Sequence, residues 1–150
     1  LDTIIVGSLD PLVDRAEDFV AWQDPNWGRR PKFGKFNSSM VLLRAGSHPE
    51  VWTSFESECV AGTRPNPVAY SDQAWIFRML GEHHPVWSEQ DGVLSFKRHI
   101  VRRSLFTRRP DLTKPTNLPA GARIIFFHGG IDPRRPDIQE RHGWIRQHIA

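Results

Sequence analysis

Residues 122–130 read Ala-Arg-Ile-Ile-Phe-Phe-His-Gly-Gly, and this stretch decides the fold. The mainly apolar run Ala122–Phe127 predicts a buried strand. His128 follows directly, so its imidazole would lie at the rim of a sheet. Gly129 and Gly130 would let the backbone approach a ligand closely. This arrangement suits a metal-bound diphosphate, and a purely structural histidine before a glycine turn is the alternative.

The composition indicates an ordinary globular chain. Its 150 residues are 39% hydrophobic and 25% charged, which suits one domain or most of one. The net charge of +3 is small, and only Phe106 is interleaved with the arginine-rich stretch, so we predict no nucleic-acid partner. Local arginine groups indicate either a solvated face or attraction to an anion such as a nucleotide diphosphate; they are Arg102, Arg103, Arg108, Arg109, Arg134 and Arg135.

The single cysteine and the apolar runs bear on location. Cys59 has no partner for an intrachain disulfide, which favours a reducing compartment, and we predict a cytoplasmic protein. No run reaches the roughly 18 apolar residues of a membrane span. The chain starts at Leu1, inside an apolar run and without an initiating Met, so we expect it to be a piece of a longer protein.

Apolar runs separated by turn residues predict the elements. Strands are expected at 3–6, 19–22, 36–43, 86–87, 93–96 and 122–127. The continuous apolar interior of the 36–43 strand predicts a central, buried position. Helices are expected after a capping box of Ser47 and Glu50, from Ser71-Asp72 to Leu80, and from Asp137 to Ile149. This alternation indicates an α/β layered domain, whose ligands gather at the carboxyl ends of strands.

The aromatic residues and histidines divide into core and surface. Residues at helical spacing predict a buried stripe on the first long helix: Val51, Trp52, Phe55 and Cys59. Five tryptophans are predicted to be core: Trp22, Trp52, Trp75, Trp87 and Trp144. Trp27, in a polar loop, is the tryptophan expected to be exposed. His83, His84 and His142 lack metal-ligand spacing and are interpreted as surface residues.

Four further polar groups fall at or near element ends. Asp2 suits a hard divalent cation, or it is a solvent-facing terminal residue. Asn37, Ser38 and Ser39 suit the reading of sugar hydroxyls, or they shape a strand start. Asp72 and Gln73 could face a reacting sugar, or simply favour a helix N-terminus. Lys97 suits a phosphate contact or a solvated face.

The order of these groups resembles a known family. The segments L-D-T-I-I-V-G-S-L-D-P-L, F-N-S-S-M-V-L-L-R-A-G, S-D-Q-A-W-I, S-F-K-R-H-I and L-P-A-G-A-R-I-I-F-F-H-G-G-I-D-P follow one another. In this order they resemble the nucleotide-diphospho-sugar glycosyltransferases with a GT-A fold. The resemblance implies an α/β chain with a partial GT-A mixed sheet flanked by helices. Residues 1–150 would be the carboxyl-terminal part of one GT-A domain, without its amino-terminal nucleotide-binding half.

The resemblance also implies a site. Asp2 looks like the second aspartate of the family's D-x-D motif, and with His128 it would hold Mn²⁺ or Mg²⁺. Asn37, Ser38, Ser39, Lys97, Gly129 and Gly130 would bind the nucleotide-sugar donor. Asp72 and Gln73 would act at the reacting carbon. The whole protein would transfer a sugar to an acceptor, and the isolated piece is expected to be inactive.

One departure leaves alternatives open. Relatives often have a lysine where Asp132 stands, and an acidic residue beside a diphosphate is unfavourable. Arg134 or Arg135 would compensate, or the phosphate contact is lost. The second hypothesis is therefore a non-catalytic module that binds carbohydrate or a protein partner on a degenerate GT-A fold. A third is a nucleotidyltransferase on a similar sheet.

Overall fold

The computed structural model describes residues 2–27, 34–60, 71–104 and 109–149. The chain forms two compact units. Unit 1 comprises Leu1–Asp14 and Ser88–Ala150, and unit 2 comprises Arg15–Trp87. Together they hold mixed α/β structure with two small mixed sheets, which confirms the α/β class.

Six strands and four α-helices follow one another along the described chain. They are β1 (Asp2–Ile5), α1 (Asp10–Val13), β2 (Phe19–Gln23), β3 (Phe36–Leu43), α2 (Glu50–Val60), α3 (Asp72–Leu80), β4 (Val86–Trp87), β5 (Val93–Ser95), β6 (Ile124–Phe127) and α4 (Pro136–Arg141). A 3₁₀ turn spans Glu89–Asp91, and one turn of π-helix spans Phe96–Ile100.

The sheet of unit 1 is centred on β6. Its order is β1-β6-β5, with β1 antiparallel and β5 parallel to the central strand. All four residues of β6 are buried, which confirms the predicted buried strand. The core beside it is apolar and includes Ile4, Leu94, Phe96, Ile125, Phe127, Ile138, Trp144 and Ile145. The Ile-Ile-Phe-Phe run therefore forms the central strand of this unit, and the residues after it lie at the carboxyl end of that strand.

A tight turn feeds β5 into this sheet. The Ser88 side chain accepts from the Gln90 amide, and Asp91 Oδ2 accepts from the Ser88 amide at 2.8 Å, closing a capping box. Gly92 then takes a left-handed conformation with φ 78°. A Cβ at this position would lie 2.3 Å from the Gly121 carbonyl oxygen. The Asp-Gly pair thus serves both the turn and a close backbone approach.

The sheet of unit 2 has the order β3-β2-β4, so β2 is central. Phe19, Ala21 and Phe36 form its core, with partly buried side chains of α3 packed against them. Helix α3 begins as predicted, because the Ser71 hydroxyl oxygen accepts from the Ala74 amide at 3.2 Å. Trp22, Trp75, Trp87 and Trp144 are buried, as expected for core tryptophans.

Three predictions about strands and helices are wrong. β3 is paired on β2 at one side of the described sheet rather than at its centre, and Val41 and Leu43 are 40% and 55% exposed. Ser47 does not cap α2: its hydroxyl donates to the Arg44 carbonyl at 2.7 Å. The last helix ends at Arg141 and continues as turns. Ile138 and Ile145 are nevertheless buried, so apolar spacing located the core correctly but overestimated the helix.

Three predictions about single side chains are also wrong. Trp52 is 66% exposed rather than core, and Phe55 beside it is 39% exposed. His142 is fully buried rather than a surface residue. Trp27 is only half-exposed, since its ring contacts Phe77 with 5.7 Å between centroids. The side chain of Cys59 lies outside the described residues.

No helix among the described residues has both the length and the apolar character needed to cross a membrane.

Candidate functional site

The backbones of Asp2 and His128 lie at the same end of the unit 1 sheet. Asp2 is paired with Phe127 in the antiparallel register of β1 and β6. The start of β1 and the end of β6 therefore coincide, and His128 follows Phe127 directly. The backbone of Asp2 is described and its side chain is not. This end of the sheet, together with Lys97, Gly129 and Gly130, is called the rim below.

A buried hydroxyl holds the His128 ring. The Oγ of Ser95, which is fully buried at the end of β5, lies 2.7 Å from His128 Nε2. The Ser95 amide donates to His99 Nδ1 at 3.0 Å. Burial lowers the pKa of His99, which favours the neutral ring that this contact requires. Sequence reasoning missed Ser95 and His99, although both stand in the quoted S-F-K-R-H-I segment.

Lys97 and Gly129 lie against each other. A Cβ on Gly129 would come within 2.3 Å of Lys97 Nζ, and Gly129 has φ 70°. The π-helical turn that carries Lys97 is anchored by Phe96, whose ring stacks on Phe127 at 4.6 Å. Such π turns are frequent at functional sites. The glycine therefore makes room for a cation at the rim, beside the backbone that was predicted to bind phosphate.

Local ion pairs offset the charge of Asp132. Arg134 binds the Asp132 carboxylate in a bidentate manner, at 3.0 Å from Nε and 3.1 Å from a terminal nitrogen. These hydrogen bonds lower the pKa of Asp132. Arg135 pairs with Asp137 at 2.8 Å in the same way. Both arginines are thus engaged by carboxylates two residues away, and the Asp132 charge is paired by Arg134.

Asn37, Ser38 and Ser39 shape an irregularity in β3. Trp22 pairs with Asn37 and Ala21 pairs with Val41, so the three residues of β3 between them have no paired residue on β2. The Asn37 Oδ1 accepts from the Ser39 amide at 3.0 Å inside this bulge. This contact favours the structural interpretation of Asn37, whereas Ser39 is exposed.

Asp72 and Gln73 occupy the first turn of α3. Gln73 Nε2 donates to Asp24 Oδ2 at 3.2 Å, and Asp24 Oδ1 accepts from the Asn26 amide at 2.6 Å. Asp72 is exposed. Gln73 therefore ties α3 to the loop after β2, while Asp72 faces outward at the mouth of a cavity.

That cavity lies within unit 2 and has a volume of about 590 Å³. Its wall is mainly apolar and comes from β3, α2 and α3, with Leu43, Trp52, Phe55, Trp75 and Ile76 among the lining side chains. Ser47, His48, Ser71 and Asp72 are the polar residues among its lining. An apolar cavity with a few polar groups is typical of a ligand site. Trp52 was predicted to be buried, and this was the reason that sequence reasoning missed the cavity.

A second cluster was also missed. Asp18, His48 and His84 each bring one possible ligand atom within 4.8 Å of the others. His84 is half-buried here rather than a plain surface residue. These residues are about 30 or more positions apart in the sequence, so no local spacing signal could have joined them.

The candidate residues fall in both units. Asp2, Lys97, His128, Gly129 and Gly130 belong to unit 1, and 37–39 with 72–73 belong to unit 2. Comparisons with protein-family models, curated proteins and solved structures found no match to the chain. The interpretation of the candidate residues therefore rests on their chemistry and on the resemblance in the sequence.

Proposed function

We propose that the protein is a glycosyltransferase of the GT-A type, which transfers a sugar from a nucleotide-diphosphate-sugar donor. The observation that carries the proposal is the contact of the Lys97 ammonium with Gly129. A cation beside a glycine backbone offers a diphosphate both a positive charge and close-approaching amide groups. The pairing of Asp132 with Arg134 supports it, because it offsets a charge that would be unfavourable beside a diphosphate.

The proposal assigns a divalent metal, Mn²⁺ or Mg²⁺, to Asp2 and His128. These residues fit such an ion in type, since carboxylate and imidazole are both known ligands of first-row metals. The strand register brings their backbones to one edge. The Ser95 contact on His128 Nε2 is of the kind that orients a ligating imidazole. When bound, such an ion would neutralise charge on the leaving diphosphate.

The remaining roles fall to the chain's own residues. Lys97 would hold positive charge beside the phosphate oxygens, and Gly129 and Gly130 would present backbone amides. Asp72 and Gln73 would orient the sugar, with Asn37, Ser38 and Ser39 on the donor side. Each of these roles is an assignment from the resemblance, to be tested residue by residue.

Two measurements test the proposal. Calorimetry with inorganic pyrophosphate and Mg²⁺ should show binding that Lys97→Ala weakens about tenfold, which corresponds to about 1.4 kcal/mol. Lys114→Ala is the matched control, because Lys114 is an exposed lysine of the same unit. In the full-length protein, nucleotide release from a panel of nucleotide sugars with Mn²⁺ should be lost in His128→Ala. Unchanged turnover and metal affinity in that variant, or equal weakening by both lysine variants, would contradict the proposal.

The cavity of unit 2 favours a second function, that of a non-catalytic module that binds carbohydrate. Trp52 and Phe55 present exposed rings there, with centroids 6.3 Å apart, and Asp72 offers a hydrogen-bond acceptor beside them. Flat apolar rings with a nearby polar group suit the faces and hydroxyls of a sugar. Oligosaccharide binding that Trp52→Ala removes, without any nucleotide release by the full-length wild-type protein, would favour this function.

A further inference from the structure

Unit 2 contains a cluster of one carboxylate and two imidazoles that the proposed function does not use. Asp18 precedes β2, His48 precedes α2 and His84 precedes β4. Their possible ligand atoms lie within 4.8 Å of one another. Carboxylate oxygen and imidazole nitrogen are the donor types of zinc and related transition metals.

The spacing of two ligand atoms already suits a metal. His48 Nε2 and Asp18 Oδ1 are 3.4 Å apart. An ion about 2.0–2.1 Å from each of two ligands, at a tetrahedral angle, would separate them by about 3.3 Å. The possible ligand atom of His84 lies within 4.8 Å of both.

The second ring nitrogen of His48 has the partner that a metal ligand requires. Nδ1 lies 3.1 Å from the Glu50 Oε1. When Nδ1 carries the proton and donates it to Glu50, the lone pair of Nε2 points away from that carboxylate. A carboxylate–histidine pair of this kind orients metal-binding imidazoles and raises their basicity.

The Nε2 atom itself lacks a hydrogen-bond partner. It is buried and makes no hydrogen bond to any described residue, although the Asp18 oxygen faces it. Two acceptor atoms at 3.4 Å repel each other unless a cation lies between them, either a proton or a metal. A proton alone would explain the close approach of Asp18 and His48. A metal ion would also explain why a second imidazole, that of His84, lies beside them.

Contacts outside the cluster hold its members in place. The Asp18 carbonyl accepts from the Arg44 amide at 2.9 Å, and the His84 carbonyl accepts from Lys35 Nζ at 3.2 Å. His48 has φ 55°, a left-handed conformation that is uncommon outside glycine and clusters at functional sites. The Phe19 ring packs edge-on against both imidazoles. These contacts hold the two imidazoles and the Asp18 backbone beside one another in the absence of an ion.

We propose that Asp18, His48 and His84 bind one divalent transition-metal ion, with zinc as the best match, through one carboxylate oxygen and two imidazole nitrogens. Three protein ligands leave a coordination position for water or a substrate group. This site uses no residue of the rim, so its test is independent of the glycosyltransferase proposal.

The test is titration of the metal-free chain with ZnCl₂ by calorimetry, with Co²⁺ absorption in the visible region as a second readout. We expect one zinc ion per chain whose binding depends on the cluster, and an increase in Tm on addition of zinc. His84→Ala should weaken zinc binding at least tenfold, and Asp18→Asn, which keeps the side-chain volume, should also weaken it. His83→Ala is the matched control, because His83 is the exposed neighbour outside the cluster, and it should bind zinc like the wild type.

If one of these variants fails to fold, a further variant still tests the proposal. His48→Asn retains a residue type that tolerates a left-handed backbone, so it removes the imidazole with little added strain. The absence of stoichiometric zinc binding to the wild type would overturn the proposal and leave Asp18 and His48 as an ion pair. Equal loss in His83→Ala and His84→Ala would overturn it as well.

Discussion

The Ser95 hydroxyl and the His128 imidazole are joined at 2.7 Å across the ends of β5 and β6. Ser95 is fully buried and pairs with Phe126 in the parallel register. The hydroxyl therefore reaches past the end of the central strand to the first residue outside it. The orientation of the His128 ring is thus set by a buried residue of the neighbouring strand.

Ser95→Ala should destabilise unit 1 and loosen this histidine. The variant removes a hydrogen bond worth about 0.5–1.5 kcal/mol of unfolding free energy. Urea denaturation measures the loss, and Ser39→Ala, at an exposed serine, should change the same quantity by less than about 0.5 kcal/mol. A Ser95→Ala protein as stable as the wild type would show that the contact has no energetic role.

Gly129→Ala should cost stability for two separate reasons. The left-handed φ of 70° disfavours any side chain, by roughly 1–3 kcal/mol, and the added Cβ would press on Lys97 Nζ. Combining Gly129→Ala with Lys97→Ala should relieve the second cost and leave the first. Gly130→Ala is the control, since nothing lies within 4 Å of a Cβ there. Strictly additive effects in the double variant would contradict the contact.

Truncation of Trp52 and of Trp75 should change the unfolding free energy by very different amounts. Trp75 is 5% exposed and its indole nitrogen donates to the Val51 carbonyl at 2.8 Å, so Trp75→Ala should cost about 3–5 kcal/mol. Trp52 is 66% exposed, and Trp52→Ala should change the unfolding free energy by less than about 1 kcal/mol. Thermal unfolding of both variants checks this, and a large loss in Trp52→Ala would mean that the ring is covered in solution.

Acidification should destabilise unit 1 through His142. Burial lowers the pKa of this imidazole below its ordinary 6.5, and the neighbouring Arg141 adds to the effect. The unfolded chain then binds a proton more readily than the folded one. The stability contributed by neutral His142 is therefore fully present above about pH 6.5 and is lost as the pH falls below that value.

Urea unfolding at pH 7.5 and 5.5 measures this dependence. His142→Phe keeps an aromatic ring against Phe96, which now contacts the imidazole edge-on at 5.0 Å. The unfolding free energy of this variant should fall less between pH 7.5 and 5.5 than that of the wild type. The remaining decrease is attributed to His99, whose pKa is also lowered by burial. A wild-type protein that is more stable at pH 5.5 would contradict the sign.

The sequence predicted the strands well because their signals are local. The runs Ile124–Phe127 and Phe19–Gln23 are apolar and flanked by turn residues, and both became central strands. Ser71 also correctly predicted the start of α3. These features depend on a few consecutive residues and on nothing distant.

Features that depend on distant partners escaped prediction. Whether Trp52 is buried depends on what packs over α2, and helical spacing cannot supply that information. His142 lies in the core, where Thr116, far earlier in the chain, provides a hydroxyl 2.8 Å from Nδ1. The Asp18, His48 and His84 cluster likewise forms only when three separate loops meet.

The bulge in β3 acts as a phase shift in the sheet. In a regular strand, Phe36 would share its face with Ser38, Met40 and Leu42, because side chains alternate with period two. The three extra residues reverse this alternation, so Val41 and Leu43 join Phe36 on the face of Phe19 and Ala21. Leu43 thereby becomes part of the cavity wall. Removing one residue of the bulge would exchange inward and outward positions over half the strand and turn Leu43 away from the cavity, although Leu43 itself would be unchanged.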